Sequence, residues 1–226
     1  MYNSVFSITY GGFLDPLGRC QILPYLRSIA CHPRALQVVS CEKPGRFFTK
    51  AEKLPGQLTE ADIGWALLFF TSRFGKVWDF LRMYGVAIRF QLRRSFSLIH
   101  CRSYQAMQVG VLLSRLTGTR TIFEVQDLRV DKRVDGGQWA QDRWMNRVAY
   151  RIYKHIEKRL LIRAHHVMLT DRVVPELCRL SVNTTTPILV IPWCVDFDDF
   201  VVPGDAARQT MRAELLFPHP SAGTAA

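Results

Sequence analysis

The stretch VFSITYGGFLDPLGRCQILPYLRSIA, Val5 to Ala30, decides how the rest of the chain is read. Val5 to Thr9 is a short, β-branched apolar run of the kind that forms a buried strand. Gly11 and Gly12 follow, then Pro16 and Gly18. Glycine lets a chain turn sharply and lets backbone approach a ligand closely. From Gln21 to Ala30 the apolar residues Ile22, Leu26 and Ile29 fall at helical spacing. Strand, small-residue loop and helix in that order open an α/β unit, and the helix turns its partly positive N-terminus toward the loop. The spacing is not the GxGxxG of a dinucleotide site. On geometry alone an ordinary tight turn is an equal alternative to a ligand-binding loop.

The same alternation recurs downstream. Leu36–Cys41, Phe96–Cys101, Thr121–Val125, His165–Leu169 and Ile188–Pro192 are short apolar runs, making about six strands interleaved with helical stretches. Such a chain is expected to form one open parallel sheet covered by helices on both faces. Between the second and third runs lies an insertion, Pro44 to Arg94. It opens as a loop with Pro44, Gly45, Pro55 and Gly56. Thr59 is then the expected cap, with one or two helices over Glu60–Arg94 broken near Gly75 or Gly85. A further helix is expected over Gln141–Arg163, with an apolar stripe of Val148, Ile152, Ile156 and Leu160 against Arg143, Arg147, Arg151, Lys154 and Lys158. That stripe is expected to face the sheet and leave the basic side in water. After Phe200 the sequence becomes rich in Pro, Gly and Ala, with one short helix expected near Ala206–Leu216.

Composition bounds the function. The chain has 226 residues, 48% hydrophobic and 22% charged, which suits one folded domain with a core rather than a disordered chain. Thirty Lys and Arg against 19 Asp and Glu give a formal charge of +11, which attracts anionic partners such as lipid headgroups, phosphorylated substrates or nucleic acid. No nucleic-acid motif accompanies the charge, so that partner is not expected. The six cysteines form no CxxC pair and no metal-ligand spacing with histidine. They are read as reduced thiols, and with no secretion leader and no apolar run of membrane-spanning length the expected location is the cytoplasm.

Residue by residue, the opening resembles that of family 4 glycosyltransferases, enzymes of the GT-B fold with two facing Rossmann-like domains. Many relatives begin with an Asp-Gly-x-x-Asp-Pro-Leu-Gly-x-x-Gln run ahead of a Leu-Pro-Tyr-Leu helix. Gly12, Asp15, Pro16, Leu17, Gly18, Gln21 and Leu23 to Leu26 match here, while Gly11 stands where relatives tend to have Asp. IHCRSY carries a second likeness, at the carboxyl end of the third expected strand. Ligands of open parallel sheets bind beyond those ends, which places His100 and Arg102 to meet acceptor phosphate or hydroxyl groups. The alternative is that His100 packs or caps the next helix.

FEVQDLRVDKRVDGGQW, Phe123 to Trp139, resembles a subfamily loop ending in Arg-Val-Asp-Gly-Gly. Many relatives place a catalytic-region histidine just after that strand. Here the nearest position is Gln126, which cannot exchange a proton at neutral pH, so Asp127 is the candidate for contacting an acceptor hydroxyl. A salt-bridged surface loop is the alternative. VIPWCVDFDDF, Val190 to Phe200, resembles the junction between the two family domains, with Asp196 ordering the hinge.

The resemblance implies a Rossmann-like α/β domain over residues 1–202, with 203–226 a linker or tail and the donor-binding half absent. It implies the acceptor side of a retaining glycosyltransferase that uses a nucleotide-sugar donor and a glycan or lipid-linked acceptor, inactive alone. The expected acceptor site comprises Gly11, Gly12, Asp15, Gly18, His100, Arg102, Gln126 and Asp127. No metal or other cofactor is expected in this half. Family members acting on lipid-linked acceptors often rest basic amphipathic helices on anionic membranes, so peripheral binding to the inner membrane face is a further expectation. The competing reading is a non-catalytic module that recognises an anionic partner or pairs with a separate donor-domain chain.

Overall fold

A computed structural model describes residues 4–14, 18, 22–31, 35–45, 47, 54–71, 75–126, 129–139, 143–169, 186–192 and 204–216. Asp15, Asp127 and the 193–200 junction with Asp196 lie outside these residues. The chain divides into two compact units, Met1–Cys194 and Val195–Ala226.

The larger unit is built on seven parallel strands: β1 (Ser4–Thr9), β2 (Ala35–Glu42), β3 (Ile63–Phe69), β4 (Leu98–Arg102), β5 (Arg120–Val125), β6 (His166–Leu169) and β7 (Ile188–Val190). Their order in the sheet is β3-β2-β1-β4-β5-β6-β7, and every adjacent pair is parallel. The helices are α1 (Leu23–Ala30), α2 (Leu54–Glu60), α3 (Lys76–Arg94), α4 (Tyr104–Thr117), α5 (Arg129–Asp135) and α6 (Trp144–Arg163). The described part of the smaller unit is one helix, α7 (Asp205–Leu216).

Side chains alternate between the faces of a strand, so the central strands of the sheet feed two cores. Phe6, Ile8, Val39, Cys41, Ile99, Cys101, Phe123 and Val125 pack with Met83 and Ala87 of α3, Met107 of α4 and Leu160 and Leu161 of α6. Val5, Leu36, Val38, Ile63 and Leu98 pack on the other face with Phe13 and Leu14, with Leu23 and Leu26 of α1 and with Leu54 and Leu58 of α2. Both faces of β2 and β4 are covered, so no residue of β4 and only the first of β2 escapes burial.

Two expectations for the insertion are corrected, and a third is resolved. Ile63–Phe69 is a strand, paired with β2 from Leu36↔Ile63 to Glu42↔Phe69, and not part of a helix. An apolar run of that length fits a strand or a buried helix equally well by periodicity, and pairing with β2 decides it. Thr59 caps nothing downstream: it lies in the last turn of α2, where its hydroxyl donates to the Pro55 carbonyl. Of the two positions expected to interrupt the helical stretch, Gly75 does so as the N-cap of α3, and the helix then passes unbroken through exposed Gly85.

A further correction concerns α6. Leu160 is buried and Ile156 half-buried, but Val148 and Ile152 are 44% and 54% exposed, so only the lower part of the stripe meets the sheet. A helix of 20 residues is about 30 Å long, whereas the six residues of β5 span about 20 Å. Being antiparallel to the strands it connects, α6 has its N-terminal turns at the carboxyl end of the sheet, with no strand beneath them.

Candidate functional site

The strand order reverses direction between β1 and β4: β2 and β3 extend to one side of β1, and β4 to β7 to the other. This is the switch point of an open α/β sheet, where diverging loops leave a crevice beyond the carboxyl ends of the strands. Thr9 and Arg102 are register neighbours at that edge. The site is therefore formed by the carboxyl ends of β1, β4 and β5 and the segments that leave them.

After β1 the chain enters the glycine loop. Gly11 is exposed, and Gly12, Phe13, Leu14 and Gly18 are buried. Glu42, at the last position of β2, accepts the Phe13 N–H at 2.6 Å and the Leu14 N–H at 3.3 Å, and the Ser40 hydroxyl at 3.2 Å. Trp65 of β3 donates its indole N–H to the Ser40 hydroxyl at 2.8 Å. A Cβ on Gly12 would overlap the Glu42 carboxylate, and one on Gly18 would overlap the Gly12 carbonyl. The glycines are thus required for a turn pinned by a buried carboxylate at the rim.

β4 and β5 supply a second polar group on the same face. The Ser7 hydroxyl lies 3.1 Å from His100 Nδ1, while His100 Nε2 lies 3.0 Å from Glu124 Oε2, at ion-pair distance but short of a directed hydrogen bond. Arg102 Nη1 contacts Glu124 Oε1 at 3.0 Å. Gln126, with its amide set by its hydrogen bonds, accepts from Arg102 Nε and from Nη2 at 2.6 Å. Tyr25 of α1 stacks obliquely on His100, ring centres 5.8 Å apart, and donates its hydroxyl to Met168 Sδ at 3.6 Å.

Burial alone would raise the Glu124 carboxyl, but the His100 contact and the Arg102 charge overcome it and hold the group below the usual carboxylate value. Burial also lowers the Arg102 guanidinium against the opposing pull of Glu124, without taking it out of its charged form. His100 and Arg102 are only 4% and 6% exposed. Half-buried Gln126 is the member that reaches the rim, and its bond to Arg102 leaves the amide NH2 on the other side as a donor.

Two features at this edge escaped the reading of the sequence. Glu42 and Glu124 were not singled out, although each is the one carboxylate of its strand and lies near the strand's carboxyl end. Ser103 follows Arg102 with φ 110°, an uncommon conformation for a non-glycine residue, and caps α4 by accepting the Ala106 N–H at 3.3 Å. Backbone strain of this kind concentrates at ligand sites. The stretch after Gln126, expected as a loop, contains α5. Its Asp131 accepts from the Tyr150 hydroxyl at 2.9 Å and pairs with Lys154, which ties α5 to α6. Among the described residues, no cluster of three His, Cys, Asp or Glu could hold a metal.

The sequence matches the glycosyl transferase 4-like domain over residues 24–194, well over half of the chain. The chain belongs to that family. Its sheet is one Rossmann-like half of a GT-B fold. HepE from Anabaena, solved with UDP and glucose, superposes on this family member with a TM-score of 0.59 at 12% identity, covering 96% of this chain and 50% of that one. The sucrose-phosphate synthase of Thermosynechococcus elongatus gives 0.62 at 15% identity, over 96% and 53%. A glycosyltransferase of Rickettsia africae gives 0.53 at 11%, over 97% and 51%. The chain thus spans about half the length of these structures. No curated protein sequence matches it.

Proposed function

We propose that this domain is the acceptor-binding half of a retaining glycosyltransferase that moves a sugar from a nucleotide-sugar donor to a glycan or lipid-linked acceptor. The observation that carries the reading is the rim at the β1–β4 switch point, where a buried cluster of His100, Arg102 and Glu124 orients the amide of Gln126 beside a glycine loop held by Glu42. In this reading Gly11 and Gly12 let backbone approach the acceptor, and Gln126 donates to one of its hydroxyls. His100 and Arg102 hold Gln126 in place, and Gly18 lets the loop close on itself. The reading also assigns Asp15 and Asp127 to acceptor binding, with Asp127 as the contact to an acceptor hydroxyl. Departure of a nucleoside diphosphate needs a cationic clamp on its phosphates, which a donor domain would supply on the same polypeptide or on a partner chain. These 226 residues alone then bind acceptor and turn nothing over, and the half carries no metal or cofactor of its own.

Titrating the isotopically labelled chain with glycans and with UDP-sugars tests the reading. Acceptor glycans should shift the Gln126 side-chain amide, and UDP-sugars should leave it unmoved and unconsumed. Turnover of a nucleotide sugar by this chain alone would overturn the assignment. Retrieval of a donor-domain protein in a pull-down, with no glycan bound, would favour the pairing-module reading.

The structure also bears on where the domain works. No helix among the described residues is long and apolar enough to cross a membrane. The overhanging turns of α6 expose Trp144, Met145, Val148 and Ile152 among Arg143, Arg147 and Arg151, and α3 exposes Val77, Trp78 and Leu81 beside Arg82. Aromatic and aliphatic side chains beside arginines suit the headgroup boundary of an anionic bilayer. Peripheral docking on the cytoplasmic membrane face would bring the rim to a lipid-linked acceptor. Sedimentation with phosphatidylserine vesicles, abolished by Trp144→Glu and absent with neutral phosphatidylcholine, is the expected result.

A further inference from the structure

A groove with a cavity volume of about 100 Å³ lies between α4, α5 and α6, on the face of the sheet away from the His100 cluster, and is partly open to solvent. The Gly136-Gly137 pair shapes it. Gly137 adopts φ 69°, and the chain turns back so that the Trp139 N–H donates to the Arg133 carbonyl at 3.0 Å. The Trp139 ring then sits under the Arg133 guanidinium, 5.0 Å from its centre, and 5.3 Å from the ring of Tyr153. Gln105 and Gln108, one turn apart on α4, line the opposite wall.

At the groove wall stands Glu157, 1% exposed. One carboxylate oxygen, Oε1, accepts from Lys154 Nζ at 2.9 Å. The other, Oε2, is buried and has no hydrogen-bond partner. A buried carboxylate oxygen without a donor is an unmet acceptor at the edge of an open groove.

We propose that this groove is a subsite for an uncharged sugar residue, which makes the acceptor an oligosaccharide that continues past the rim. The inference rests on the acceptor-binding reading. Arg133 and Lys154 disfavour a cationic occupant, and the Glu157 carboxylate disfavours an anionic one. A pyranose offers apolar C–H edges to the Trp139 and Tyr153 rings, hydroxyl donors to Glu157 Oε2, and hydroxyls that both give to and take from the Gln105 and Gln108 amides. Connectivity favours a shared ligand, because α4 begins two residues after Arg102 and α5 three residues after Gln126. Tyr104, at the head of α4, lines the groove and packs edge-on against Phe123 of β5.

The experiment titrates the labelled chain with mono-, di- and tetrasaccharides of glucose, galactose and N-acetylglucosamine. The tetrasaccharide that binds should do so about tenfold more tightly than its monosaccharide and shift the Trp139 indole N–H, while the monosaccharide shifts only the Gln126 amide. Trp139→Ala and Gln108→Ala should each remove most of the gain with length and leave monosaccharide affinity unchanged, and Gln108→Ala guards against misfolding of the tryptophan variant. If monosaccharides bind at the rim but length adds nothing and Trp139 stays unshifted, the groove proposal is overturned and the acceptor reading stands. If no glycan of any length binds, both fall.

Discussion

On the face beneath α3, α4 and α6, the strands end apolar, at Ile8, Cys41, Cys101 and Val125, and the buried polar residues Gln37 and Thr121 lie nearer their amino ends. On the face beneath α1 and α2 the same strands begin apolar, with Val5, Val38 and Leu98, and turn polar within two to four residues: Ser7, Thr9, Ser40, Glu42, His100, Arg102 and Glu124. Both faces are buried, so exposure does not explain the change. A sheet that needed only a core would keep both faces apolar, because buried charges rarely stabilise more than hydrophobic side chains of similar volume. The polar band lies at the rim of the switch point, and its cost is explained by the loop and the amide it holds there.

The contrast can be broken most severely at Glu124. Glu124→Ala leaves Arg102 buried without its counter-charge and His100 without its carboxylate contact, and should cost about 3–5 kcal/mol in urea unfolding. A combined His100→Leu, Arg102→Met, Glu124→Leu variant should recover most of that stability while losing glycan binding at Gln126. Such an outcome would separate the function of the polar band from the folding of the sheet. Equal instability of the combined variant would mean that the band is a structural requirement.

Acid sharpens the same contrast with a smaller effect. Because the folded Glu124 carboxyl is held below its ordinary value of 4.5, the stability it contributes is complete above that value and is lost as pH falls through the lowered one. Wild type should therefore lose more stability on acidification below about pH 4 than Glu124→Gln, as measured by urea midpoints across that range. Parallel pH profiles for the two proteins would remove Glu124 from the account.

The mildest probe reads the apolar face. Burial, with Asp79 and Glu42 adding to it against Arg82, pushes the Cys41 thiol up to about 12, and burial raises Cys101 as well. Neither should react with iodoacetamide at neutral pH in the folded protein, whereas exposed Cys31 should. Peptide mapping by mass spectrometry separates them, and labelling of Cys101 before unfolding would show that this face opens.

Much of this architecture was readable in order along the chain. The runs at Val5–Thr9, Leu36–Cys41 and Thr121–Val125 lie inside or at the limits of observed strands, because a sheet covered on both faces draws apolar residues to both sides of its strands. Ile63–Phe69 met the same condition and was still misread, since seven apolar residues beside a strong helix carry no periodicity that separates the two states. His100, Arg102 and Gln126 could be proposed from their place at the carboxyl ends of strands. Their partners could not, because Ser7 reaches His100 across 93 residues and Glu42 reaches Phe13 across 29.

By itself, the sequence determined the alternation of strands and helices, the glycine loop and the surplus of positive charge, because backbone preference and apolar periodicity act over a few neighbouring residues. Only the tertiary structure decided that half the α6 stripe overhangs the sheet, that Glu124 joins His100 to Arg102, and that Trp139 folds back beside a buried, half-satisfied Glu157. Those outcomes depend on relative element lengths and on which distant side chains share a low-dielectric space, and both are properties of the assembled sheet.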